Sequence, residues 1–419
     1  MSAHEKEAHS GMVARARTLT GLVVFLFFAW GFGTVLNDTL FPKLKGLYQL
    51  SYAQGMLTQF AFFTSYFVFS IPAGLLLARI GYVRGVVVGL LAMAAGCALF
   101  WPAGEIDRFG AFLVPLFVIA GGMTMLQVAA NPFIELLGPA ATSHSRLTLA
   151  QAFNSLATAI GPAVGAVLIL RSGVGAHAPG LSPEAVASLR HDQTHTIALF
   201  YLAISAVLAA VALVFFVMRN APAPPVPGQA RLSGAFRLIA HPRLGFGAAA
   251  IFLYVGAEVS IGSLMTNYLM APRILGASAE HAGALVSWYW GGAMVGRFIG
   301  AALLRRVRPG LLLAFCAIAA SALALSSALS SGTLAAAALI GVGLFNSIQF
   351  PTIFSLASEG LGEETPNGSG LLCMAIVGGA LVPLLAGRIA DLSSLRMALA
   401  VPVVCYLAIA LYGARFAKR

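Results

Sequence analysis

Apolar stretches follow one another along almost the whole of this 419-residue chain, separated by short breaks at glycine, proline or charged residues. Each stretch has the roughly 20 residues that an α-helix needs to cross the hydrocarbon core of a bilayer. Twelve membrane-spanning helices are therefore predicted. They lie at residues 18–41, 53–78, 84–102, 110–137, 147–170, 196–218, 244–270, 281–304, 310–329, 332–357, 367–389 and 395–415.

Charged residues are too few to coat a soluble protein of this size. Asp, Glu, Lys and Arg make up 9% of the chain, against 59% hydrophobic residues. This composition excludes a soluble enzyme, a coiled coil and a disordered scaffold. A membrane β-barrel would alternate apolar and polar residues along each strand, which this chain does not do. The expected fold class is an all-α membrane protein.

The basic residues predict the orientation of the chain in the membrane. They are scattered through short loops and are not clustered with aromatics, so the net charge of +11 does not indicate a nucleic-acid partner. The termini and the loops on their side carry 16 Lys and Arg residues, and the opposite loops carry 8. Because cytoplasmic loops are enriched in Lys and Arg, both termini are predicted to be cytoplasmic, in a bacterial inner membrane.

The longest polar break falls at the middle of the chain. It contains the sequence APAPPVPG, which cannot continue a helix. We interpret residues 219–243 as a cytoplasmic linker between an N-terminal six-helix half, 1–218, and a C-terminal six-helix half, 244–419.

Internal repetition supports this division. A shift of about 220 residues places Asp38 of helix 1 near Glu258 of helix 7. A slightly larger shift places the basic loop after helix 2 on the basic loop after helix 8. Two six-helix halves related by an axis along the membrane normal are the major facilitator architecture.

Motifs for catalysis, nucleotide binding or metal binding are absent from the sequence. There is no nucleophile elbow and no Walker A loop, and the four cysteines lie in apolar stretches without C-x-x-C spacing. We therefore predict a protein that is not an enzyme and holds no cofactor or metal. Transport would then be passive or driven by an ion gradient. A monomer in the lipid bilayer is expected.

Two carboxylates fall within the apolar stretches. Asp38 and Asn37 share a helix face with Thr34 in the outer half of helix 1, and Glu258 lies close to the middle of helix 7. A charge at mid-helix costs about 2.5–3.5 kcal/mol, so such residues normally face the bundle interior or water. We interpret both as cation-coupling groups, and Glu258 also as a substrate contact. The alternative is a structural hydrogen-bond anchor.

Uncharged amides form stripes on several helices. On helix 5, Gln151 and Asn154 share one face with Ser155 and Thr158. Amides donate and accept hydrogen bonds, as a neutral polyhydroxyl ligand requires, and Trp30, Trp288 or Tyr289 could stack on a sugar ring. Interhelical bonding worth about 0.6–2 kcal/mol is the alternative for each amide. The predicted substrate contacts are Asn37, Gln127, Asn131, Gln151, Asn154, Glu258, Asn267 and Asn346.

Four arginines are predicted to have gating or structural roles. Arg297 lies within helix 8 and could extend to the cytoplasmic face or pair with a carboxylate. Arg79, Arg84 and Arg305 lie in the cytoplasmic loops after helices 2 and 8. Three histidines, His177, His191 and His195, are expected in a solvated external loop between helices 5 and 6.

Five ordered segments carry a family resemblance. LNDTLFPKLK, LQVAANPFIELLGP, SRLTLAQAFNSLATAIGP, YVGAEVSIGSLMTNYL and FNSIQFPTIFSLASEGLG together resemble the fucose–galactose–glucose symporter family of the major facilitator superfamily, over about residues 20–415. The pattern YVGAEVSIGS is most similar to the glucose/galactose transporter branch. The fucose permease branch differs, with a carboxylate in place of Gln127 and an amide in place of Glu258.

The resemblance implies cation-coupled import of a hexose by alternating access. Asp38 matches the coupling aspartate of the family, and Gln151 and Asn154 match positions associated with the sugar. A proton is favoured over sodium because the sequence shows no cage of oxygen ligands. The alternatives are an N-acetylglucosamine or fucose symporter of the same family, or a drug/proton antiporter. The amide stripes disfavour the antiporter, which would need a greasy cavity.

Overall fold

A computed structural model describes residues 20–32, 44, 47–48, 52–165, 183–219 and 237–417 of the chain. Every regular element in these ranges is helical. Nine of the described helices are long and apolar enough to cross a membrane. The described part of the first helix is shorter, and two further helices, the fifth and the eighth, carry many of the polar side chains considered below.

Twelve helices follow the predicted order. They are α1 (Thr20–Phe32), α2 (Tyr52–Ile80), α3 (Tyr82–Ile106), α4 (Phe109–Leu136), α5 (Ser143–Gly165), α6 (Pro183–Val217), α7 (Pro242–Met270), α8 (Ala279–Leu303), α9 (Pro309–Leu329), α10 (Gly332–Ser358), α11 (Gly362–Leu392) and α12 (Leu395–Arg415). The predicted end of helix 1, residues 33–41, and most of the predicted linker, 220–236, lie outside the described residues.

Helix α6 begins much earlier than predicted. Pro183 starts it, which suits a first helical turn because proline has no N–H to leave unpaired there. The following turns are too polar to give an apolar signal, since they carry Arg190, His191 and Asp192. The prediction that His191 and His195 lie in a loop is therefore wrong, since both lie within α6 one turn apart. His177 lies outside the described residues.

Helix α10 is broken in its middle. It consists of two segments, Gly332–Asn346 and Gln349–Ser358. Pro351 has no N–H, so the carbonyl of Ser347 loses its usual partner four residues on. The Nε of Arg297 donates to that carbonyl at 3.0 Å. The continuous helix predicted over 332–357 is thus interrupted, and a side chain from α8 stabilises the interruption.

The helices pack in two similar sets. Helix α3 packs on α4 and α6, and α9 packs correspondingly on α10 and α12. Two pairs form the junction between the sets, α5 with α8 and α2 with α11. Adding six to or subtracting six from the helix numbers of one pair gives another observed pair, so α3 with α4 corresponds to α9 with α10, and α5 with α8 corresponds to α11 with α2. The described structure therefore consists of two pseudo-symmetric helix bundles that meet along these pairs.

Candidate functional site

The carboxylate of Glu258 lies at the middle of α7 and is partly exposed. Gly256 packs so closely on α11 that an added Cβ would lie 2.4 Å from the Cβ of Val382. This contact fixes the rotation of α7. Since each residue turns the helix by about 100°, Glu258 points away from α11. The hydroxyl of Tyr254, one turn earlier on the same face, donates to Oε1 of Glu258 at 2.7 Å.

A buried network connects this carboxylate to α10 and α8. The Tyr254 hydroxyl also lies 3.1 Å from the carbonyl oxygen of Asn346. The amide Nδ2 of Asn346 donates to the hydroxyl of Tyr289 at 2.7 Å, and its Oδ1 accepts from Nε2 of Gln349 at 3.3 Å. Asn346, Gln349 and Tyr289 are fully buried. The amide that the sequence suggested as a substrate contact is thus occupied by protein groups.

Arg297 joins the two bundles beside Glu258. Besides binding the carbonyl of Ser347, its guanidinium donates to the hydroxyl of Ser155 on α5. Its positive charge also acts on the Glu258 carboxylate. Through Arg297, the polar face of α5 and the carboxylate of α7 meet in one place. This arginine does not extend to the predicted cytoplasmic face, and among the described contacts it forms no direct ion pair with a carboxylate, so neither alternative left open by the sequence is seen.

The two amides predicted on α5 differ in their bonding. The Nδ2 of Asn154 donates to the carbonyl of Phe27 in α1 at 2.9 Å. An added Cβ at Gly31 would lie 2.4 Å from the backbone oxygen of Asn154, so α1 and α5 are in close contact. Gln151 is 5% exposed, and its side chain has no hydrogen-bond partner in the described part of the protein. Its amide therefore remains available.

The two amides on α4 also differ. The Nε2 of Gln127 donates to the hydroxyl of Tyr66 in α2 at 2.5 Å. Asn131, one turn further on, is completely buried, and neither its Nδ2 nor its Oδ1 has a hydrogen-bond partner among the described residues. A buried polar group without a partner costs about 1–3 kcal/mol. Asn131 thus carries unused hydrogen-bonding capacity inside the helix bundle.

Of the remaining predicted residues, those that the structure describes lie apart from this cluster. Asn37 and Asp38 lie outside the described residues. Asn267 is exposed near the end of α7, and Trp288 is 71% exposed, whereas Trp30 is buried against Phe27. Three of the predicted gating arginines, Arg79, Arg84 and Arg305, are exposed.

A second polar cluster, not predicted from the sequence, joins the bundles on the predicted cytoplasmic side. The Nε2 of His144, at the start of α5, lies 2.9 Å from Oε1 of Glu359, which follows α10. Glu359 also accepts from Arg243 at 2.5 Å. Burial raises the pKa of Glu359, but the His144 hydrogen bond and the charges of His144 and Arg243 outweigh it and leave the pKa below its usual value.

Further bonds on this side also cross between the bundles. The hydroxyl of Ser145 donates to the carbonyl of Ala301 at 2.6 Å, and that of Ser358 donates to Oε2 of Glu135 at 3.3 Å. A repeat could have revealed the cluster, since Glu135-Leu-Leu-Gly ends α4 as Glu359-Gly-Leu-Gly ends α10. Among the described residues, every hydrogen bond between the bundles is found either at Arg297 or between Arg297 and the predicted cytoplasmic side. The described part of the protein is therefore closed there.

Comparison with known proteins identifies the architecture. The family model described as Major Facilitator Superfamily matches residues 22–375. The "Glucose/galactose transporter" of Brucella abortus biovar 1 (strain 9-941) is 46% identical over 398 residues, covering 94% of this chain and 93% of that protein. The "L-fucose-proton symporter" of Escherichia coli (strain K12) is 36% identical over 408 residues, covering 94% and 92%.

A solved structure agrees with these sequence matches. The crystal structure of FucP, a Major Facilitator Superfamily transporter in the outward conformation, superposes with a TM-score of 0.89 at 34% identity. The superposition covers 97% of this chain and 100% of that one. The twelve helices and their pairing are therefore those of the major facilitator fold. The chain belongs to the Major Facilitator Superfamily and, within it, to the fucose–galactose–glucose symporter family.

Proposed function

We propose that the protein imports a hexose of the glucose/galactose type together with a proton. The observation that carries this proposal is the Glu258 carboxylate at mid-membrane, linked through Arg297 to the amide-bearing face of α5 where the two bundles meet. A titratable group beside free amides provides a proton site next to a site for hydroxyl groups. The names of the Brucella and Escherichia coli relatives support the same substrate class and the same ion.

Glu258 and Asp38 bind the proton, and Glu258 also accepts hydrogen bonds from the sugar. The free amide of Gln151 and the unpartnered amide of Asn131 are the described groups best able to bind sugar hydroxyls. Asn154 can add its Oδ1 while its Nδ2 binds α1. Gln127, Asn37 and Asn267 complete the proposed contacts. Arg79, Arg84, Arg297 and Arg305 are proposed to gate or stabilise the two states.

A proton suits this environment better than a sodium ion. A metal cation needs several oxygen ligands around it. Among the described residues, the hydrogen bond to the Glu258 carboxylate comes instead from a hydroxyl that donates to it, and the charge that acts on it is that of Arg297. The Arg297 charge disfavours either cation, since each adds one positive charge to the site, but a proton needs only one carboxylate oxygen and no further oxygen ligands.

Alternating access then moves the sugar across the membrane. The bonds of the His144–Glu359 cluster close the predicted cytoplasmic side, so inward release requires them to break. One charge moved through 100 mV provides about 2.3 kcal/mol, or roughly fifty-fold accumulation. A single coupled proton is thus sufficient to drive sugar accumulation of this size. Fucose is a less favoured substrate, because the fucose symporter relative is less similar than the glucose/galactose transporter.

The proposed location is a bacterial inner membrane, with both termini cytoplasmic and the protein monomeric. The distribution of Lys and Arg supports this orientation. All four native cysteines are buried, so introduced cysteines can be labelled selectively. A cysteine at Ser182 should react with an impermeant thiol reagent from outside, and one at Ser233 should not. The opposite labelling would reverse the orientation without changing the fold.

Proteoliposomes carrying the purified protein provide the direct test of function. Labelled glucose, galactose, fucose and N-acetylglucosamine would each be supplied under an imposed proton gradient or an imposed sodium gradient. We expect glucose or galactose to accumulate with the proton gradient only. Accumulation with sodium alone, or no accumulation of any hexose, would contradict the proposal.

A further inference from the structure

The hydroxyl of Tyr254 faces two hydrogen-bond acceptors but has one proton to donate. Oε1 of Glu258 lies 2.7 Å away, and the carbonyl oxygen of Asn346 lies 3.1 Å away. A phenolic hydroxyl donates a single hydrogen bond and can accept others. It therefore cannot satisfy both acceptors at the same time.

The charge on Glu258 decides between the two acceptors. An ionised carboxylate forms a charge-assisted bond that is stronger than one to a neutral carbonyl, so the hydroxyl then points to Glu258. When Glu258 carries a proton, its own O–H can donate to the oxygen of Tyr254. The Tyr254 hydroxyl is then free to turn to the Asn346 carbonyl. No proton leaves either residue in this exchange, because only the directions of the two hydrogen bonds change.

The second acceptor lies at the break in α10. Asn346 ends the first segment of that helix, and Gln349 begins the second. Side chains from other helices bind both carbonyls at this break, since Tyr254 reaches Asn346 and Arg297 reaches Ser347. When the Tyr254 hydroxyl changes its acceptor, the hydrogen bonding of the α10 break therefore changes. At this break, side chains from other helices bind the backbone carbonyls.

We infer that Tyr254 is a positioning residue that transmits the protonation of Glu258 to the break in α10. This inference rests on the proposed function, in which Glu258 binds the transported proton. Because α10 packs on α8, and α8 packs on α5 across the junction, the break connects the proton site to the interface between the bundles.

The other groups around Glu258 leave this role to Tyr254. Arg297 and Tyr289 of α8 and Tyr406 of α12 lie close enough to interact with it electrostatically. The Arg297 charge acts on the carboxylate without a direct ion pair among the described contacts. Tyr289 already accepts from Asn346. Asn346 contributes only neutral amide and carbonyl groups from α10.

Infrared titration of the purified protein in lipid tests the inference. The carbonyl stretch of protonated Glu258 would be identified by its loss in Glu258→Gln and followed against pH. In Tyr254→Phe we expect the band to shift in frequency. Its titration midpoint should rise by about one to two pH units, because the ionised form loses a charge-assisted hydrogen bond.

Tyr268→Phe is the matched control. It removes a buried hydroxyl from the same helix, but one that bonds to Ser327 and not to Glu258. We expect it to leave the band and the midpoint unchanged. Replacing Tyr254 alone by 3-fluorotyrosine, a stronger donor of nearly the same shape, should lower the midpoint. This second variant keeps the test valid if Tyr254→Phe does not fold.

Each result has a distinct meaning. A Glu258 band that is unaltered in both Tyr254 variants would overturn the inference while leaving the proposed function intact. Wild-type proton-driven uptake in Glu258→Gln would instead contradict the proposed role of that carboxylate. In transport, Tyr254→Phe should shift the external-pH profile of sugar uptake in the same direction as the infrared midpoint, and a profile identical to wild type would also count against the inference.

Discussion

The imidazole of His144 lies 2.9 Å from the carboxylate of Glu359, and this contact joins the N-terminal bundle to the C-terminal bundle. The two residues come from the start of α5 and the end of α10. Arg243 binds the second carboxylate oxygen of Glu359 from α7. The pKa of Glu359 is lowered by these partners, so its charge is present at neutral pH and is lost only when the pH falls below the usual range of a carboxyl group.

Breaking this contact should favour opening of the predicted cytoplasmic side. The Glu359 side chain is 37% exposed, so the pair contributes about 0–1 kcal/mol, equivalent to a shift of a few-fold in the two populations. His144→Gln and Glu359→Gln are each expected to produce this shift. Spin-label distances between the ends of α5 and α10 on the predicted cytoplasmic side would measure it.

The double variant checks that the two residues act together. If His144 and Glu359 stabilise the closed state through one contact, the combined effect will be smaller than the sum of the single effects. His281→Gln is the control. This exposed histidine lies at the start of α8, and the other end of that helix is the one near the His144–Glu359 contact. Fully additive effects would mean that the contact does not hold the closed state.

The two amides of α5 are expected to respond differently to removal. Gln151→Ala should weaken sugar binding by about 1–3 kcal/mol without lowering the melting temperature, because its amide has no hydrogen-bond partner in the part of the protein that the structure describes. Asn154→Ala should weaken sugar binding similarly and also destabilise the fold, since it loses the bond to Phe27. Sugar titration by calorimetry and thermal unfolding would separate these effects. Wild-type sugar affinity in both variants would assign the amides to helix packing.

The close approach of α2 to α11 gives a prediction that does not depend on charge. An added Cβ at Gly74 would lie 2.5 Å from the backbone oxygen of Pro366, which no side-chain rotation can relieve. Gly74→Ala should therefore push α2 from α11 and destabilise the closed state by about 1–3 kcal/mol. Accessibility of a cysteine placed between the two helices on the predicted cytoplasmic side would report the opening.

A glycine on α11 itself provides the comparison. Nothing lies within 4 Å of an added Cβ at Gly387. Alanine is the better helix former by about 1 kcal/mol, so Gly387→Ala should be neutral or stabilising. Equal accessibility in Gly74→Ala and the wild type would show that α2 and α11 can adapt without separating.

The sequence predicted helices and helix faces better than contacts between helices. Hydropathy located most of the helices because they are apolar over the length that crosses the membrane, whereas α5 and α8 carry more polar side chains. The spacing of Gln151, Asn154 and Ser155 correctly placed them on one face of α5, since helical periodicity is local. The start of α6 was missed because its first turns are polar and give no apolar signal.

Contacts that cross between helices could not be read in the same way. Nothing in the spacing of Arg297 indicates that it will bind Ser155 and the carbonyl of Ser347, because both contacts depend on how α8 approaches α5 and α10. The sequence suggested Asn346 as a substrate contact, but its amide bonds to Tyr289 and Gln349. These bonds depend on tertiary packing, which the sequence pattern does not show. The contact of Tyr254 with Glu258 could have been predicted from the sequence, since the two residues lie one turn apart on the same helix.

Substitutions of the two intramembrane carboxylates should have different effects on sugar binding and on proton coupling. Asp38→Asn resembles the protonated acid in shape and charge, so the carrier should still bind sugar and exchange it across the membrane. It should fail to accumulate sugar, because a site that cannot change its charge cannot be driven by a proton gradient. Glu258→Gln should weaken sugar binding itself, through loss of charge-assisted hydrogen bonds worth about 1.5–3 kcal/mol. Counterflow and gradient-driven uptake, measured on the same vesicles, distinguish the two outcomes. If Asp38→Asn accumulates sugar as well as the wild type does, Asp38 has no coupling role and coupling rests on Glu258 alone, which the Tyr254 hydrogen bond and the interaction with Arg297 already connect to both bundles.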